Sequence, residues 1–113
     1  MKTTDLVFVG FRSRVAALHR GTGEIVWEWE AAKGSSYLTL LVDRDLVIVS
    51  VDGYMYGLAA ATGRELWFNP MKGFGTGVAS LASASGSAQN TQAHAAAAEA
   101  LAAQAATTHS PSS

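Results

Sequence analysis

Three histidines, nine carboxylates and one glycine-rich run are the residues of this chain whose types suit chemistry. A metal or acid–base site needs several such groups brought together, and no His, Asp and Glu set stands at ligand spacing. Asp5, Asp43, Asp45 and Asp52 fall at expected strand ends and turns, where polar residues belong in any case. His19 sits in an expected turn, and His94 and His109 lie in an Ala/Ser-rich segment. Gly73-Phe-Gly-Thr-Gly77 has the glycines of a phosphate-cradling loop. It lacks both the strand-loop-helix setting and the Lys-Ser/Thr ending that such a loop requires, and reads instead as a flexible entry to a strand. Lys72, Arg12 and Arg14 are isolated turn charges, expected to be solvated. With no cysteine there is no disulfide and no thiolate-held metal. The expectation is a non-enzymatic chain with no catalytic residue, no bound cofactor and no metal.

The elements that position these residues repeat. Asp45–Trp67 shifted back by 40 positions lies without a gap on Asp5–Trp27. Identities fall at Asp5/Asp45, Leu6/Leu46, Val7/Val47, Val9/Val49, Leu18/Leu58, Thr22/Thr62, Gly23/Gly63 and Trp27/Trp67. A period near 40 residues, built of short strands and glycine turns, is the pattern of propeller blades.

Each repeat predicts three strands. Leu6–Gly10 and Leu46–Val51 are continuous apolar runs, as expected of strands covered on both faces. Tight turns at Arg12-Ser13 and Asp52-Gly53 lead to strands near Arg14–Leu18 and Tyr54–Leu58. Turns holding Thr22-Gly23 and Thr62-Gly63 lead to outer strands, Glu24–Trp29 and Arg64–Phe68. Between the repeats lies a fourth strand, Ser36–Val42. Val78–Ala82 holds the same place after Trp67. The expected fold is all-β over residues 5–82, with repeats at about 5–44 and 45–82 and eight strands forming two four-stranded antiparallel blades, one of them split between the two ends of the segment.

All eight Lys and Arg, and all but one of the nine acids, lie before residue 83, so the repeat segment is neutral. Neither a nucleic-acid backbone nor an anionic membrane is an expected partner. No apolar run is long enough to span a bilayer. Met1-Lys-Thr-Thr-Asp5 carries no hydrophobic region or cleavage site, so a cytoplasmic location is expected. Residues 83–113 are Ala, Ser, Gln and Thr-rich, and Ala93–Ala106 has helix propensity but only Leu101 to bury. They are expected to form a disordered or weakly helical tail.

Ala17-Leu18-His19-Arg20-Gly21-Thr22-Gly23-Glu24-Ile25-Val26-Trp27 and Gly57-Leu58-Ala59-Ala60-Ala61-Thr62-Gly63-Arg64-Glu65-Leu66-Trp67 resemble the pyrroloquinoline-quinone (PQQ)-type β-propeller repeat. Its pattern is Ala-Leu-Asp-x-x-Thr-Gly-x-x-x-Trp, and the resemblance covers residues 5–82. His19 and Ala59 stand where the pattern has Asp, which weakens the expected side-chain cap on each turn. The resemblance implies that Trp27 and Trp67 dock between adjacent blades, supported by Thr22, Gly23, Thr62 and Gly63. Quinoprotein dehydrogenases share the blade pattern but also need carboxylate and amide metal ligands, a catalytic aspartate and often adjacent cysteines. That set is missing here, so no PQQ binding is expected.

Two blades do not close a ring, since natural propellers have about four to eight. The expected remedy is a homo-oligomer of two to four chains, with four favoured by the eight-bladed form common in the resembled family. Val78–Ala82 of one chain would complete the sheet begun by Leu6–Gly10 of the next, placing Leu6, Phe8, Val78 and Leu81 at the subunit interface. The expected role is a self-assembled ring serving as a binding or scaffold platform. Alternatives are a subunit or remnant of a quinoprotein-like dehydrogenase propeller, and a protein-docking platform similar to outer-membrane assembly propellers.

Overall fold

Apolar runs punctuated by residues that accept positive φ fold, among the described residues, into nine short strands. The computed structural model describes residues 2–84 and 86–88, so the Ala-rich stretch at 93–106 lies outside the described residues. After a 3-10 turn at Thr3–Asp5 come β1 (Leu6–Gly10), β2 (Arg14–His19), β3 (Ile25–Glu30), β4 (Leu38–Asp43) and β5 (Leu46–Val51). β6 (Tyr54–Ala59), β7 (Glu65–Asn69), β8 (Leu81–Ser83) and β9 (Gly86–Ala88) follow. Every pairing is antiparallel. The sheets are β1-β2-β3, β4-β5-β6-β7 and the hairpin β8-β9.

The 40-residue period of the sequence is also a period of the backbone. Leu6 pairs with His19 as Leu46 does with Ala59, and Phe8 with Ala17 as Ile48 does with Gly57. Ala17 faces Trp27 across the next pair, as Gly57 faces Trp67. Register shifts fall at Ala17/Leu18 and Gly57/Leu58, again one period apart. The tight turn after β5 is made by Asp52 and Gly53, both at positive φ (51° and 85°), the backbone that suits a two-residue hairpin.

The expected strand at Val78–Ala82 is shorter and shifted, to Leu81–Ser83. Gly73, Gly75 and Gly77 all take positive φ, which holds this stretch as a loop until Ser80. That loop lies against the β5–β6 turn so closely that a Cβ on Gly53 would overlap the Gly75 carbonyl. Strand pairing also continues past residue 82. Ser83↔Gly86, Ala82↔Ser87 and Leu81↔Ala88 repeat, one period later, Asp43↔Leu46, Val42↔Val47 and Leu41↔Ile48. β9 is thus the start of a third repeat whose apolar side chains are replaced by Gly, Ser and Ala.

The core lies between the two large sheets. Val15, Ala17 and Trp27 of the first sheet are buried with Leu38, Val47, Val49, Val51, Tyr56 and Leu58 of the second. Tyr56 also ties down the β3–β4 connection: its hydroxyl donates to the Lys33 carbonyl at 2.6 Å and accepts the Lys33 N–H at 3.0 Å. Burial raises its phenol above the ordinary range, and the nearby Glu65 charge adds to that.

Candidate functional site

The residues with chemical potential are used locally. His19 Nδ1 accepts the Gly21 N–H at 3.1 Å, so the histidine caps its own turn, where the sequence suggested a weakened cap. Arg12 lies over the Tyr37 ring at 4.8 Å, and Arg14 pairs with Glu28 at 3.3 Å on an exposed surface. Asp52 accepts the Ser36 hydroxyl and, at 2.9 Å, the Ser35 N–H. Those bonds hold its carboxyl below the ordinary range, the Ser36 hydroxyl contributing most. Among the described residues no three His, Asp or Glu side chains gather as a metal would need. None of the described helices is long and apolar enough to cross a membrane. A recess under the 71–79 loop, lined by Ser50, Met55, Met71, Phe74 and Val78, offers mostly apolar groups and no charge.

The most developed side-chain site is the seam between the sheets. Trp27, on β3, donates its indole N–H to the Ala60 carbonyl at 2.8 Å. Its ring lies against Gly63, where a Cβ would overlap it. Gly63 also has φ 76°, so glycine meets both a backbone and a space requirement there. Thr62 shapes the turn by accepting the Arg64 N–H at 3.3 Å, and Thr22 accepts the Glu24 N–H at 3.3 Å in the first repeat. Trp29 joins the same seam, edge-on to Tyr56 with centroids 4.7 Å apart and bonded to Glu65 at 3.2 Å. From the sequence, where its counterpart Asn69 breaks the period, Trp29 is expected on a rim or an interface, without a partner named. The one available signal was its i, i+2 spacing from Trp27, which places both on one face of a strand.

Residues one period apart share their backbone geometry but differ sharply in burial. Val47 and Val51 are 0% exposed, whereas their counterparts Val7 and Phe11 are 46% and 65% exposed. The difference reverses for the tryptophans: Trp27 is 8% exposed and Trp67 is 41% exposed. The first sheet covers the face that begins the second repeat, and no segment among the described residues covers the face that begins the first. Likewise Trp27 has the Ala60–Gly63 turn to rest on. Trp67 rests on Gly57 of its own sheet, and among the described residues its indole N–H has no acceptor.

The other residues singled out from sequence are dispersed. Leu6 is buried in the core, and Phe8 is half-buried against Trp27 with ring centroids 5.9 Å apart. Leu81 is buried within the chain and Val78 is exposed. Gly23 repeats the geometry of Gly63, at φ 78°, but with open space where a Cβ would go.

A complete four-stranded antiparallel sheet, a three-stranded sheet in the same register and a tryptophan seam between them define an all-β repeat protein built of propeller-type blades. No protein-family model matches the chain. No curated protein matches it either. Among solved structures it is similar to BamB from Moraxella catarrhalis, at 29% identity and a TM-score of 0.49. That similarity covers 57% of this chain and 20% of the other, so the chain spans a small part of that protein's length.

Proposed function

We propose that this chain is a non-enzymatic β-propeller module that assembles head to tail with copies of itself into a ring, which serves as a binding or scaffold platform. The observation that carries the reading is the reciprocal exposure of period-related residues. One end of the repeat unit presents Val7 and Phe11 and the other presents Trp67, and the buried counterpart of each lies in the internal seam. A heterologous contact that reuses one seam at every boundary closes when the rotation per chain divides a full turn. Among the described residues β1 is an edge strand, and pairing it with β8 of a neighbouring copy, in place of β9, would cover an edge that otherwise invites aggregation.

The experiment is the native mass of the intact chain at micromolar concentration. The expected result is one discrete oligomer of two to four chains. A folded, monodisperse monomer at that concentration would overturn the reading.

A further inference from the structure

The internal seam has two parts, an indole and a turn, and each part has an unmatched counterpart one period away. In the second repeat the turn is fixed by Gly63 N–H to Ala59 O at 2.8 Å and Ala60 N–H to Asp45 O at 2.8 Å. The first-repeat turn has the same bonds: Gly23 N–H to His19 O at 2.7 Å and Arg20 N–H to Asp5 O at 2.8 Å. The Arg20 carbonyl is therefore set as the Ala60 carbonyl is, and the space over Gly23 is open where Gly63 carries the Trp27 ring. A recess lined by Asp5, His19, Arg20 and Gly21 opens beside this turn. At the other end, Trp67 shares the strand register of Trp27, is part-exposed, and has an indole N–H without an acceptor among the described residues.

We infer that Trp67 of one copy docks on the Arg20–Gly23 turn of a second copy, its indole N–H donating to the Arg20 carbonyl and its ring lying on Gly23. The inference rests on the head-to-tail reading and names the pair that forms each boundary. A self-complementary contact between two tryptophan ends does not fit, because the acceptor turn lies at the opposite end of the repeat unit. Each copy thus carries one donor end and one acceptor end. An indole with a satisfied N–H in a fitted site is the kind of anchor that dominates an interface.

The test uses Trp67→Ala, which removes the donor end, and Gly23→Asn, which fills the acceptor end. Asparagine tolerates the left-handed backbone at position 23, and the position has open space within the chain, so the second variant keeps its fold. Sedimentation of each variant alone should show a monomer, with the dissociation concentration raised by about thirtyfold or more. Mixing the two leaves one intact boundary, between Trp67 of the Gly23→Asn copy and Gly23 of the Trp67→Ala copy. The expected product is a one-to-one dimer and nothing larger. If Trp67→Ala unfolds, as far-ultraviolet circular dichroism would show, Gly23→Asn alone decides. A wild-type oligomer that persists in the folded variants, or a mixture that forms no dimer, overturns this pairing and leaves the head-to-tail reading standing. A monomeric wild-type chain overturns both.

Discussion

The Trp27 ring rests on Gly63, and its indole N–H reaches the Ala60 carbonyl three residues earlier at 2.8 Å. A side chain of the first repeat is thus matched to a backbone turn of the second. Buried aromatic surface stabilises the contact, and the satisfied N–H avoids the cost of a polar group left unpaired in the core.

That relationship separates two glycines of identical backbone. Gly63→Ala must both strain a left-handed backbone and displace the Trp27 ring, a loss of about 2–5 kcal/mol in all. Gly23→Ala meets open space within the chain and should lose only about 1–2 kcal/mol, the backbone part. Urea unfolding of both variants at a concentration where the chains are dissociated gives the comparison. Equal losses would show that the Trp27 contact contributes nothing beyond the turn.

Ser50 should behave in the opposite sense. Its hydroxyl is buried with no hydrogen-bond partner among the described residues. Removing an unsatisfied buried group recovers its desolvation cost, so Ser50→Ala should gain on the order of 1 kcal/mol. A raised urea midpoint with unchanged slope is the expected result.

Asp52 makes folding sensitive to acid. Hydrogen bonds from Ser36 and Ser35 lower its folded value below that of the unfolded chain. The stability it contributes is therefore present above the ordinary carboxylate range, near about pH 4, and is lost as pH falls through the lowered folded value. Asp52→Asn should flatten the dependence of melting temperature on pH below about pH 4 and leave the neutral-pH slope unchanged. An unaltered acid profile would place the sensitivity in other carboxylates.

β9 gives a fourth prediction. Its Gly86–Ala88 backbone stands, in register, where β1 of a following copy would pair with β8. Ending the chain at Ala84 removes this strand and a segment whose sequence is Ala, Ser, Gln and Thr-rich. The melting temperature of the dissociated chain should fall by less than about 4 °C, the shift that about 1 kcal/mol produces in a domain of this size. Assembly should tighten, read as a lower dissociation concentration. Weakened assembly would show instead that β9 supports the boundary.

Much of the architecture was legible in the chain itself. The repeats, the inner runs Leu6–Gly10 and Leu46–Val51, the Asp52-Gly53 turn and the Thr-Gly turns before Trp27 and Trp67 follow from local rules. Apolar continuity marks a strand covered on both faces, and glycine marks positive φ. These rules act within a few residues, so sequence alone carries them. It did not carry β9, because Gly-Ser-Ala has no apolar run to mark a strand. Nor did it carry the cap by His19, which uses a ring nitrogen where the repeat pattern has a carboxylate.

Only the tertiary structure distinguished residues that the sequence made equivalent. Trp27 and Trp67 occupy the same position in the same motif, yet one is buried and the other part-exposed. The same holds for Val47 and Val7, with the order of exposure reversed along the chain. Local sequence sets the strand, the turn and the direction of each side chain. Burial depends on what lies opposite, and that is decided by the packing of one sheet on the next, across separations of tens of residues.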